Sequence, residues 1–171
     1  DGHITRIGWN TKSAAPGTTA SENVAVGTGD YRYGAPAPDR KLDLWVENIT
    51  PTRTSFETGE QLFLSTTVSR ASYLSCFMAG ADGEVTRLVP NDVNRSGWIT
   101  AAQSVRLPDW MSPNPGYVIN AGPPGKEGVA CFATEQNMTD KLPTLLQGKA
   151  FIAIPGMRSL EDVNQYMASS L

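Results

Sequence analysis

Apolar and polar residues alternate over much of this chain from Leu42 onward, and the period is two. In "LDLWVENI" the residues Leu42, Leu44 and Val46 share one parity, while Asp43 and Glu47 share the other. In "EQLFLSTTV" the set is Leu62, Leu64, Thr66 and Val68, in a run rich in β-branched and aromatic side chains. Both runs predict half-buried strands. "SYLSCFM" and "GEVTRLV" predict a third and fourth, joined through Asp82-Gly83. Glycine there accepts the positive φ of a tight hairpin turn. Within "SYLSCFM", Tyr73, Ser75 and Phe77 are expected on one face, and Leu74, Cys76 and Met78 on the other.

Further strands are expected in "AQSVRL", stopped by Pro108, and in "GYVINA", "GVACFAT" and "KAFIAIPG". Short strands separated by turn residues predict an all-β, immunoglobulin-like β-sandwich. Two helical pieces interrupt the pattern near the C-terminus. "TDKLPTLLQG" predicts one or two turns around Leu142, Leu145 and Leu146, ended by Gly148. "SLEDVNQYM" carries a Ser159/Asp162 capping pattern with Leu160, Val163 and Met167 on one side, which predicts a short amphipathic helix.

Residues 1–40 have a different texture. "SAAPGTTASENVAVGTGDYRYGAPAPDR" is small, polar and broken by Gly and Pro, with one short strand candidate at Val24 to Val26. The expected organisation is an extended N-terminal arm or linker over 1–40 and a sandwich over 41–171. The alternation in "HITRIGW" is weak, with Ile4 on one parity and Ile7 and Trp9 on the other. An arm of this kind lies on its own domain, adds a strand to a neighbour, or stays solvated.

The 171 residues fit one domain with extensions. Charged residues make up 18%, below the roughly 25% usual in soluble domains. A net charge of −3 argues against nucleic acid as a partner, because phosphate binding requires a basic face. The sequence contains no apolar run of the ~18 residues needed to span a membrane. It carries no signal peptide, which a mature secreted chain would also lack.

The two cysteines, Cys76 and Cys131, both fall within predicted strands and form no CxxC. They are compatible with one disulfide and an oxidising compartment, periplasmic or cell-surface. The alternative is a pair of buried free thiols in a reducing compartment. Cys76 shares its parity with Leu74 and Met78, which suits a core position facing Cys131 better than a reactive thiol.

No catalytic constellation emerges. A serine or cysteine nucleophile needs a base within hydrogen-bond reach, and the single histidine, His3, lies far out on the expected arm. Two cysteines and one remote histidine are too few for zinc. Asp82 and Glu84, and then Asn91, Asp92 and Asn94, offer hard oxygens for calcium, yet Asp and Asn are also the ordinary residues of turns. "GPPGKEG", Gly122 to Gly128, lacks the spacing of a phosphate loop and predicts a turn. The carboxylates Asp43, Glu47, Glu57, Glu60, Glu84, Asp109, Glu127 and Glu135 are read on outward parities and in turns, with no pair singled out for glycosidase chemistry. Sequons at Asn48, Asn94 and Asn137 decide little in a chain so rich in Ser and Thr.

Four motifs stand in a specific order: "FETGE" (Phe56 to Glu60), "YLSCFMAGADGEVTRLVPN" (Tyr73 to Asn91), "SVRLP" (Ser104 to Pro108) and "NAGPPGKEGVACF" (Asn120 to Phe132). Over about half the chain this order resembles a bacterial family known as domain of unknown function 4384. The resemblance implies a non-catalytic, envelope-associated β module, often joined to other modules in larger chains. Its shared Gly, Pro, Asn and Asp positions read as turn requirements, and it carries over no catalytic residue. The cysteines need not occur in other members, and residues 1–40 lie outside the pattern.

The expectation is therefore a non-enzymatic, extracytoplasmic module without cofactor or metal. It would act by protein–protein contact, with itself or another subunit, in a cell-envelope, secretion or surface assembly. Candidate contact residues are Ile4, Ile7 and Trp9 on the arm and Trp98 and Trp110 in loops. If the arm serves assembly, removing residues 1–40 leaves the domain folded. The alternative is a carbohydrate- or peptidoglycan-binding module that uses the loop tryptophans as a platform. Trp45 is expected in the core.

Overall fold

The computed structural model describes residues 2–12, 29–33, 42–47, 55–92, 95–101, 103–108, 117–138, 141–142 and 144–168. The architecture is all-β and sandwich-like, with antiparallel sheets and one short C-terminal helix. The larger sheet has seven strands. Its spine runs β2 (Gly29–Tyr33), β1 (Gly2–Lys12), β11 (Gly125–Thr134), β6 (Ser72–Ala79), β7 (Val85–Val89). β4 (Ser55–Glu57) pairs parallel to the end of β1, and β8 (Trp98–Ile99) pairs with the start of β6. The smaller sheet has four strands centred on β5 (Gln61–Val68). β3 (Leu42–Glu47) pairs with β5, as do β9 (Ser104–Leu107) and β10 (Ile119–Asn120).

The strands predicted from one-sided alternation form where expected. β3 and β5 bury Leu42, Leu44, Leu62, Leu64 and Val68 against the larger sheet, because that parity carries their apolar side chains. The β6–β7 hairpin turns over Gly80 to Glu84. Gly83 has φ 85° and donates its N–H to the Gly80 carbonyl at 3.0 Å, while Asp82 Oδ1 accepts from the Glu84 N–H at 3.0 Å. The predicted faces of β6 hold. Leu74 and Cys76 enter the inter-sheet core, and Phe77 enters a second core on the opposite side.

That second core makes the larger sheet unusual for a simple sandwich, since it is covered on both faces. Ile4, Phe77, Val85 and Phe132 meet Met138, Leu142, Leu146, Met157, Val163 and Met167 from the C-terminal segment. Phe77 and Phe132 pack edge to face at 6.0 Å. The helix α1 (Leu160–Ala168) supplies Val163 and Met167, one turn apart. Ser159 caps it by accepting from the Asp162 N–H at 3.3 Å, and Asp162 Oδ2 accepts from the Arg158 N–H at 3.0 Å.

Three expectations are corrected. Residues 2–12 are no arm: β1 lies inside the larger sheet, between β2 and β11, in register with β11 from Gly2↔Thr134 to Thr11↔Gly125. Residues 29–33 also belong to that sheet. The rest of 1–40, with the candidate strand Val24 to Val26, lies outside the described residues. β1 alternates weakly in sequence because it carries buried apolar residues on both of its faces. Ile4 enters the C-terminal core, and Ile7 and Trp9 enter the inter-sheet core. A strand covered twice does not alternate cleanly.

Second, "KAFIAIPG" forms no strand. It runs irregularly beside β7 and makes two backbone bonds, Phe151 N–H to the Arg87 carbonyl at 3.0 Å and Ile154 N–H to the Val85 carbonyl at 2.8 Å. Phe151, at φ 66°, breaks the extended path between them. Third, the helix expected around Leu142 to Leu146 is reduced, among the described residues, to a 3-10 turn at Thr144–Leu146.

Candidate functional surface

Cys76 and Cys131 form the predicted disulfide. They sit directly opposite each other on β6 and β11, so the bond joins neighbouring strands of one sheet rather than the two sheets. Both are fully buried in the inter-sheet core. The sulfurs are thus part of the scaffold and not exposed chemistry.

A second buried polar node stands at one end of the sandwich. Glu127, on β11, is 6% exposed and faces inward beside Trp9. Its Oε2 accepts from Trp9 Nε1 at 2.9 Å and from the Thr11 hydroxyl at 2.5 Å. The Gly122 N–H donates to the same carboxylate, 3.2 Å from Oε1. The expectation that Glu127 points outward is therefore wrong. Its parity is that of Val129 and Cys131, both in the core, and this was the signal available in the sequence. The carboxylate is tolerated there because three donors converge on it.

The same end of the fold gathers two of the quoted motifs. Phe56 is buried on β4, and the Thr58-Gly59 turn closes by Glu60 N–H donating to the Glu57 carbonyl at 3.0 Å. Gly59, at φ 92°, donates to the Ala121 carbonyl at 2.8 Å, and Ala121 N–H donates to the Glu60 carbonyl at 2.8 Å. "FETGE" and "NAGPPGKEG" thus clasp each other. Asp82 and Asn91, candidates for calcium, act locally: Asp82 caps its own turn, and Asn91 Nδ2 donates to the Leu88 carbonyl at 2.8 Å. Among the described residues, no three or more His, Cys, Asp or Glu side chains gather as a metal site would require.

The predicted contact residues separate. Ile4, Ile7 and Trp9 are buried at 4% exposure or less and offer no contact surface. Trp110 lies outside the described residues. Trp98 is 43% exposed, and its ring meets Tyr73 edge-on at 4.8 Å. Trp45, expected in the core, is 36% exposed. Its parity is that of Asp43, outside the sheet, and its size alone suggested burial.

Trp45 lies in a row across the outer face of the smaller sheet. It pairs with Ser65 on β5, and Ser65 pairs with Arg106 on β9. The Arg106 guanidinium sits 3.8 Å from the centre of the Phe63 ring. The outer face thus presents an indole, a phenyl ring and a guanidinium on rigid strands. A further aromatic contact lies at Tyr117 and Phe151, with ring centres 4.4 Å apart beside the exposed Val118.

Comparison with known proteins adds one finding. The model of a family described as Domain of unknown function (DUF4384) matches residues 55–137, from β4 to the segment after β11. No curated protein and no solved structure matches this chain. Over residues 55–137 the chain is similar to this family, in agreement with the order of the four motifs.

Proposed function

We propose that this chain is a non-catalytic, extracytoplasmic module that works by protein–protein contact, as a structural part of a bacterial cell-envelope, secretion or surface assembly. The carrying observation is the outer face of the smaller sheet, where Trp45, Phe63 and Arg106 are displayed together. Trp, Tyr and Arg are the residue types that dominate binding energy in protein interfaces, and strands hold them at little entropic cost. Among the described residues, the larger sheet is covered on both faces, and the outer face of the smaller sheet is a flat surface that suits a partner. The buried disulfide supports an oxidising compartment.

The test is a photo-crosslinking residue at position 45 in cells that produce the chain. A discrete adduct with one protein, lost when Arg106→Ala is added, is expected. Adduct-free protein across growth conditions would sink the proposal. A second reading, a glycan-binding module, is favoured by the exposed Trp98 beside Tyr73. Binding on a glycan array that disappears in Trp98→Ala would establish it in place of the first.

A further inference from the structure

The face of the larger sheet turned toward the C-terminal segment is apolar across four strands. Ile4 of β1, Phe77 of β6, Val85 of β7, and Ala130 and Phe132 of β11 form its floor. All but Ile4 lie within the family-matched residues 55–137. The side chains that cover this floor from residues 144–168 are Leu146, Met157, Val163 and Met167, and all four lie beyond the match. A floor of this kind needs a cover, and the cover need not belong to the same chain.

Residues 144–168 support themselves weakly. They hold a three-residue 3-10 turn and the nine-residue helix α1, and a helix that short does not persist alone in water. Between the two the chain is irregular. Phe151 stands there at φ 66°, a left-handed backbone that a bulky side chain adopts only under strain. Phe151, Ile152 and Tyr166 stay exposed although the segment is docked, so docking leaves much of its apolar surface in water. In α1, Asn164 is buried; its Nδ2 donates to Glu161 Oε2 at 3.4 Å, while its Oδ1 has no partner among the described residues. An amide oxygen buried without a donor opposes docking and is relieved when the helix lifts into water. At the rim Glu161 pairs with Arg6 of β1, but both side chains are partly exposed, and an ion pair in water adds little. Side-chain packing is thus the main hold on the cover. Two of its four buried residues are methionines, whose unbranched chains repack readily.

We infer that this floor is a docking surface for an amphipathic helix of a partner protein, and that residues 144–168 occupy it in cis and yield to that helix. The kind of helix is shown by α1 itself. It meets the floor through Leu160, Val163 and Met167, at positions i, i+3 and i+7. A partner helix with Leu, Val or Met at that spacing makes the same contacts, and without an asparagine at the buried position it leaves no amide oxygen unpaired. The floor stands on hydrogen-bonded strands and does not have to rearrange to receive it. The surface is separate from the outer face of the smaller sheet, so the inference stands apart from the contact proposed there.

The test has two arms, both on the full chain. Hydrogen exchange read by mass spectrometry follows cover and floor separately. Amides of residues 160–168 are expected to exchange at least about a hundredfold faster than those of β6 and β11, through local opening. Exchange of cover and floor at one common rate overturns the inference. The second arm uses a fluorescent peptide with the sequence of residues 157–168, titrated into the wild-type chain and into Val163→Asp, which puts a carboxylate on the inner side of the cover. The variant is expected to keep its sheet signal in circular dichroism. It should bind the peptide at least about tenfold more tightly than the wild type, because its own cover no longer competes. A peptide carrying the same Val163→Asp change should bind neither protein. Loss of the sheets in the variant, equal affinity of the two proteins, binding to neither, or equal binding of the two peptides overturns the inference.

Discussion

Trp9 on the first strand donates its indole N–H to the buried carboxylate of Glu127 on the eleventh, 2.9 Å away. Glu127 lies inside the family-matched segment, and Trp9 lies outside it. The bond is therefore where the matched module is completed by the chain preceding it. Thr11 and Gly122 add their donors to the same carboxylate, so one side chain ties β1, β11 and the preceding turn together.

Glu127→Ala removes the acceptor from three donors at once. Unsatisfied buried donors cost about 1–3 kcal/mol each, with relaxation recovering part, so a loss of roughly 3–5 kcal/mol is expected. Urea unfolding measures it. Trp9→Phe, which deletes one donor and keeps an aromatic ring, should cost only about 1–2 kcal/mol. Equal losses in the two variants would show that the carboxylate is not the hub.

Deletion of residues 1–12 is expected to abolish folding, the reverse of what an arm would predict. It exposes the edge of β11 and removes Ile4, Ile7 and Trp9 from two cores. Ile7→Ala alone should cost about 2–5 kcal/mol, as for other buried aliphatic truncations. Circular dichroism and amide dispersion of the truncated chain decide the matter; a native-like spectrum would restore the arm.

Replacing both cysteines by alanine opens a covalent loop with a sequence separation of 55. On the chain-entropy estimate this costs about 4 kcal/mol. Because both residues are fully buried, the bond should resist reductant in the native state and yield only on unfolding. Thiol alkylation followed by mass spectrometry, with and without urea, distinguishes the two conditions.

Two glycines with positive φ should respond differently to alanine. Gly97, at φ 70°, leaves no room: a Cβ there would overlap the Leu74 carbonyl oxygen, which belongs to the residue whose N–H donates to the Gly97 carbonyl at 2.7 Å. Gly97→Ala should cost more than about 3 kcal/mol. Gly59, at φ 92°, faces open space, so Gly59→Ala carries the backbone penalty alone, about 1–2 kcal/mol. Thermal denaturation of the two variants side by side is the check; a similar shift in both would refute the steric account.

The clearest elements in the sequence carry a local signal, either a solvated face or a turn or cap. β3 and β5 alternate because one side of the smaller sheet is solvated, and the β6–β7 hairpin announces itself through Asp82-Gly83. The capping pattern at Ser159 and Asp162 marked α1 for an equally local reason. Trp45 and Glu127 were misplaced although their parities were correct, because size argued for burial in one and charge for exposure in the other.

By itself, the sequence determined the all-β class, most strand positions, the cysteine pair and the family likeness of residues 55–137. Only the tertiary structure decided that residues 2–12 complete the larger sheet, that Glu127 is a buried hub, and that the 150–154 segment flanks β7 without forming a strand. The physical reason is the same in each case. Local pattern records the contrast between water on one side and core on the other, and it fades where a residue is covered from both sides or held by partners distant in sequence.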